Sequence, residues 1–169
     1  MKSFLTVLII LFAMSAMAQI TARPKPGTKI SLPQGSFSGG TVFNKDQKYY
    51  SEDNRYFIQM QSDGNLVLYK VVGANKFKAL WHTHTNGKAI KKCVFQSDGN
   101  LVLYDYNGKA QWDAFTDQKN KDNEGLKRFV LRGDKFYPGQ STLVLQSDGN
   151  LVIYVGNTAR WHAGTYEKN

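Results

Sequence analysis

The chain runs to 169 residues with a single cysteine, so no disulfide can form within it, and its length fits one domain with a sizeable core. Its 22 Lys and Arg outweigh 13 Asp and Glu, for a formal charge of +9. The basic residues are dispersed, with Lys91-Lys92 and Lys127-Arg128 the only adjacent pairs. That describes a soluble mixed surface with weak attraction to anionic envelopes, and no nucleic-acid motif is present.

Residues 1–18 read as a signal peptide. Lys2 is the positive end, Phe4 to Ala13 is an apolar run, and Ala16-Met17-Ala18 is a small-residue cleavage pattern. A membrane anchor is the alternative, but the run is short for a span, so no membrane insertion is expected and the product is read as secreted and extracellular. Residues 19–28, with Pro24 and Pro26, predict an extended arm, and residues 29–169 a single domain. Within it, Ser36 to Tyr50 is Gly-rich with apolar punctuation and predicts an opening strand pair.

One phrase then occurs three times: QSDGNLVLY at Gln61–Tyr69 and again at Gln96–Tyr104, and QSDGNLVIY at Gln146–Tyr154. Asp-Gly between apolar runs is a hairpin signal, because Gly accepts the positive φ of a tight turn. Alternation along a strand sends Leu66 and Leu68 to a core face and Asn65, Val67 and Tyr69 to the other. A Trp follows each phrase, and a Thr four residues later: Trp81 and Thr85, Trp112 and Thr116, Trp161 and Thr165. Each repeat is therefore predicted to be a meander ending in a Trp strand, with the three Trp rings filling a shared core. Cys93 takes the place of Ile58 and Leu143, which predicts a buried free thiol; a reactive thiol is the alternative.

The rhythm breaks between the second and third copies. Near residues 117–127 a charged, turn-prone insert, Gln118 to Gly125, predicts a mobile surface loop. Strand pattern restarts at Arg128–Leu131, and Tyr137-Pro138-Gly139 is a turn leading into the third hairpin.

Three complete Q-x-D-x-N-x-V-x-Y motifs, each followed by a Trp strand, resemble the bulb-type mannose-binding lectins of monocots and their relatives. The resemblance spans about Lys29 to Thr165 and implies an all-β fold, the β-prism II: three antiparallel sheets related by pseudo-threefold symmetry from three internal repeats. It implies one monosaccharide site per motif: Gln61, Asp63, Asn65, Val67 and Tyr69; Gln96, Asp98, Asn100, Val102 and Tyr104; Gln146, Asp148, Asn150, Val152 and Tyr154. In the family the Gln, Asp and Asn bond the 2- and 3-hydroxyls of mannose, the Tyr bonds the 4-hydroxyl, and the Val packs on the ring carbons. Amide, carboxylate and phenol groups do suit hydroxyls that both donate and accept. A competing reading has the polar residues only capping turns. Many plant members carry a disulfide that this chain lacks: Gly64 stands at its first position and Cys93 near its second.

Other constellations point elsewhere more weakly. His82 and His84 alternate and would share a strand face, with His162 at the matching place in repeat three, but a metal site needs three or four convergent ligands. Arg132-Gly133-Asp134 is an integrin-type tripeptide. The motif carboxylates lie one per repeat, whereas glycosidases set two about one bond. The expectation is a non-catalytic, cofactor-free and metal-free lectin whose partners are mannose-containing glycans or glycoproteins, microbial cell-surface polysaccharide included. A rival reading is an antibacterial or defence protein that uses the same scaffold against microbial envelopes.

Overall fold

The Asp-Gly phrase folds as the same five-residue hairpin loop in every copy. The Gln N–H donates to the Asn carbonyl at 2.8 Å, and the Gly N–H donates back to the Gln carbonyl. The glycines Gly64, Gly99 and Gly149 sit at φ of 93°, 83° and 86°, in the left-handed region that a side chain resists. A computed structural model describes residues 34–114 and 141–167. The signal peptide, the arm, residues 29–33, the insert near 117–127, Thr116, Arg128–Leu131, Arg132–Asp134 and Tyr137–Gly139 lie outside the described residues.

Twelve strands are described. The first repeat contributes β4 (Tyr56–Met60), β5 (Leu66–Gly73) and β6 (Lys76–His82). The second contributes β7 (Ile90–Phe95), β8 (Leu101–Asp105) and β9 (Ala110–Asp113), and the third β10 (Ser141–Leu145), β11 (Leu151–Val155) and β12 (Thr158–His162). Each set is an antiparallel meander, as the repeat pattern predicts. The described residues thus form three four-stranded antiparallel sheets, the β-prism II architecture.

The opening segment differs from the expected strand pair. It forms three short strands, β1 (Ser36–Ser38), β2 (Thr41–Phe43) and β3 (Lys48–Tyr50), which do not pair with one another. Each instead becomes the fourth strand of a different sheet: β1 on β10, β2 on β7, β3 on β4. The reason is the edge. A meander leaves the backbone N–H and C=O groups of its first strand unpaired, and a strand laid along that edge satisfies them.

The core is built from three equivalent cross-strand rows. Tyr49, Ile58, Leu68 and Trp81 are successive partners across one sheet. Phe43, Cys93, Leu103 and Trp112 match them in the second, and Phe37, Leu143, Ile153 and Trp161 in the third. The rows meet as two triangles of rings. The tryptophans lie 5.6 to 6.0 Å apart, edge to face, as the repeats imply. Phe37, Phe43 and Tyr49 form the second triangle at 5.0 to 5.8 Å. Each edge-to-face contact adds about 0.5–1.5 kcal/mol to the burial itself. Cys93 is buried and free, as its place in the row predicts, and burial pushes its thiol pKa up.

Candidate functional site

The three motif loops lie at corresponding hairpin ends, one per sheet, so the fold builds the same constellation three times. In each, the Asp is an element of the turn: one carboxylate oxygen accepts the Asn backbone N–H two residues on, at 2.9 Å for Asp63, Asp98 and Asp148 alike. The three Asp side chains are exposed at the loop tip. The turn-capping reading is therefore correct for one oxygen of each carboxylate.

The Gln and the Tyr, eight residues apart, are brought together by the hairpin register. Gln61 Nε2 donates to the Tyr69 hydroxyl at 3.0 Å, and Gln146 Nε2 to that of Tyr154 at 2.9 Å. In the second copy the amide is turned over: the Tyr104 hydroxyl donates to Gln96 Oε1 at 2.7 Å while Gln96 Nε2 faces Asp98 at 3.3 Å. Each pair fixes its partner's rotamer, so both groups are held in place before any ligand arrives. Burial raises the Tyr154 pKa. Val67, Val102 and Val152 lie between, 4%, 2% and 3% exposed, beneath the polar groups rather than open to solvent.

The Asn does more than the alternation of the strand suggests. Asn65 ends the turn, and its side-chain carbonyl accepts from Thr83 Oγ1 at 3.0 Å and the Thr85 N–H at 3.2 Å. Asn150 Oδ1 likewise accepts the N–H groups of Gly164 and Thr165. With the carbonyl occupied, the hydrogen-bonding group these two side chains can still offer is the Nδ2 donor. Thr85 and Thr165 complete the link by donating their hydroxyls to the Gly64 and Gly149 carbonyls at 2.7 and 2.6 Å. The Thr recurring after each Trp is visible in the sequence, and this is its role in copies one and three.

A further position escaped the sequence reading. The residue just after each Trp pairs across the sheet with the motif Val: His82 with Val67, Asp113 with Val102, His162 with Val152. Cross-strand partners share a face, so each borders its site. Asn100 Nδ2 donates to Asp113 Oδ1 at 3.3 Å, which sets the second site apart from the other two. The expected sharing of a strand face by His82 and His84 is not found. β6 ends at His82, and His84, at φ 57°, folds back so that its ring lies 3.8 Å from that of His82 and its N–H donates to His82 Nδ1. Among the described residues no three His, Cys, Asp or Glu side chains converge as metal ligands.

Loop supports come from the neighbouring sheets. A Cβ on Gly64 would meet the Lys88 carbonyl at 2.3 Å, and one on Gly149 would meet the Tyr56 ring at 2.6 Å. The opening strands contribute as well. Gly39 passes so close to Ser97 that a Cβ there would lie 2.6 Å from its Cα, and the Asp46 carboxylate accepts from both the N–H and the hydroxyl of Ser62.

No family model and no curated protein matches the chain. Solved structures do. A lectin from Marasmius oreades is 28% identical with a TM-score of 0.56, covering 78% of this chain and 91% of that one. A monomeric monocot mannose-binding lectin from Gastrodia elata is 28% identical at 0.56, covering 79% and 99%. The mannose-specific agglutinin of snowdrop bulbs, solved with methyl-α-D-mannoside, is 28% identical at 0.50, again covering 79% and 99%.

Proposed function

We propose that this chain, a bulb-type lectin by fold and by the spacing of its motifs, is a secreted, non-catalytic carbohydrate-binding protein that takes mannose-type residues at up to three sites. The observation that carries the reading is the threefold construction of one polar set: Gln and Tyr locked together, an Asp with one oxygen in the turn, and an Asn at the loop end. In copies one and three the Tyr hydroxyl accepts from the Gln amide and so keeps its own proton to donate. Tyr O–H and Asn N–H donors beside Asp and Gln oxygen acceptors complement adjacent sugar hydroxyls, and a misplaced hydroxyl would leave one of them unpaired.

One shallow site of this kind binds at around millimolar, roughly −4 kcal/mol. Three sites on separate sheets bind a branched or surface-bound glycan through avidity, which suits mannan-type and microbial cell-surface polysaccharides. The leader at residues 1–18 supports export to the compartment where such glycans are met. NMR titration with methyl α-mannoside tests the reading. Saturable shifts at the Gln, Asn and Tyr of the three motifs are expected; no shifts at concentrations well above the millimolar range would overturn it.

A further inference from the structure

The three sites differ at a further position. Opposite the motif Tyr, on the first strand of each meander, stand Phe57, Lys92 and Thr142. Only the first site has an aromatic there, and the Tyr69 and Phe57 rings stack at 5.1 Å and 22°. The hairpin beyond is also longer: β5 and β6 have 8 and 7 residues, against 5 and 4 for β8 and β9 and 5 each for β11 and β12. The extra length brings Phe77 edge-on to Phe57 at 5.0 Å, so that Phe57 is 1% exposed while Phe77 stays 39% exposed. Lys48, from β3, holds its ammonium 4.0 Å from the Phe77 ring centre and 4.8 Å from that of Phe57.

We propose that this face carries a second subsite, continuous with the first motif site through Tyr69, which takes a carboxylate-bearing pyranose linked to the hexose held by Gln61, Asp63, Asn65 and Tyr69. The inference rests on the lectin reading. Tyr69 belongs to both parts: its hydroxyl bonds Gln61 and its ring stacks on Phe57. A sugar unit leaving the motif site on that side meets an exposed aromatic ring, the surface on which the C–H face of a pyranose packs. Over one face of that ring lies the Lys48 ammonium, which among the described residues makes no salt bridge. A fixed cation on an aromatic shelf selects a second unit with a carboxylate over a neutral one. Among the described residues the second site also has an ammonium over its motif Tyr, Lys92 at 5.2 Å from the Tyr104 ring centre, but only the first site adds a second and third aromatic ring, Phe57 and Phe77.

The test compares methyl α-mannoside, neutral mannobiose and a mannosyl-glucuronic acid disaccharide, followed by NMR at the first-site signals. At low salt the acidic disaccharide is expected to bind there roughly fivefold tighter than mannobiose, the scale of a partly exposed ion pair, and to lose that advantage in high salt. Lys48→Met should abolish the acidic preference alone. Phe77→Ala should weaken both disaccharides by roughly threefold and Phe77→Trp should not, with methyl α-mannoside unchanged throughout. Equal affinity for the acidic and neutral disaccharides, or a preference that survives Lys48→Met, would overturn the subsite. Absence of methyl α-mannoside binding at every site is a separate failure, of the lectin reading, and removes both.

Discussion

The side-chain carbonyl of Asn65 accepts the backbone N–H of Thr85 at 3.2 Å, tying the tip of one hairpin to the segment that leaves its Trp strand. Asn65 is therefore a structural residue as well as a member of the proposed binding set. Asn65→Ala leaves the Thr85 N–H without its acceptor and removes that of the Thr83 hydroxyl, and should destabilise the domain by about 1–3 kcal/mol while silencing the first site. Thermal melts with sugar titration check this; an unchanged melting point would contradict the assigned bond.

Tyr69→Phe separates binding from folding. The ring keeps its stack on Phe57, so stability should change little, while the loss of the hydroxyl should weaken sugar binding at the first site by roughly threefold to tenfold. Signals from Gln96 to Tyr104 and from Gln146 to Tyr154 should still shift on titration, since those residues lie in other sheets.

Two glycines with similar φ make a matched comparison. Gly149→Ala adds a methyl against the Tyr56 ring at a φ of 86° and should cost more than about 2 kcal/mol. Gly108→Ala, at 78° with open space around it, should cost only about 1 kcal/mol. Denaturant melts of both proteins measure the gap; equal losses would mean that the contact with Tyr56 contributes nothing.

The alkaline limb of stability should depend on Tyr56. Burial, with the Glu167 carboxylate beside it, pushes this phenol up to about 12. An unfolded tyrosine gives up its proton near pH 10, so the buried one contributes stability that is full below that pH and is lost as the pH rises towards 12. Tyr56→Phe should flatten the decline in unfolding free energy over this window. At the acid end, Lys70 holds the Glu167 carboxyl below its usual range, so that contribution is present near neutrality and is lost as the pH falls below about 4. Lys70→Met should remove that acid dependence, as read from melting points across the same titration.

Much of the fold was legible because it is local. Alternation around Leu66 and Leu68 and the Asp-Gly turn specify a hairpin from neighbouring residues, and the repeated Trp marks the third strand. The opening strand pair was misread because the partners of β1 and β2, β10 and β7, lie in later repeats, while β3 pairs with β4, the strand that follows it. The polar set was legible as a set, but its division of labour was not. An Asn carries both a donor and an acceptor, and only the approach of Thr85 shows which one faces inward. His82, Asp113 and His162 recur at one offset, yet their nearness to the Val depends on cross-strand register, which no single strand reveals.

The placement of β1 also sets an order of events. It lies near the start of the domain and pairs with β10, roughly a hundred residues later, so their contact is among the most non-local in the molecule. On the ribosome the earliest strand must wait for nearly the whole chain to emerge before its own edge is covered. Phe37 waits with it, since the strand it pairs with, at Leu143, belongs to the last repeat. A chain cut short after Ala114 would hold two complete sheets and a stranded β1. It would be a sticky intermediate for chaperones or proteases to find, with two tryptophans of the triangle and a Phe37 held only by Phe43 and Tyr49, its strand partner missing.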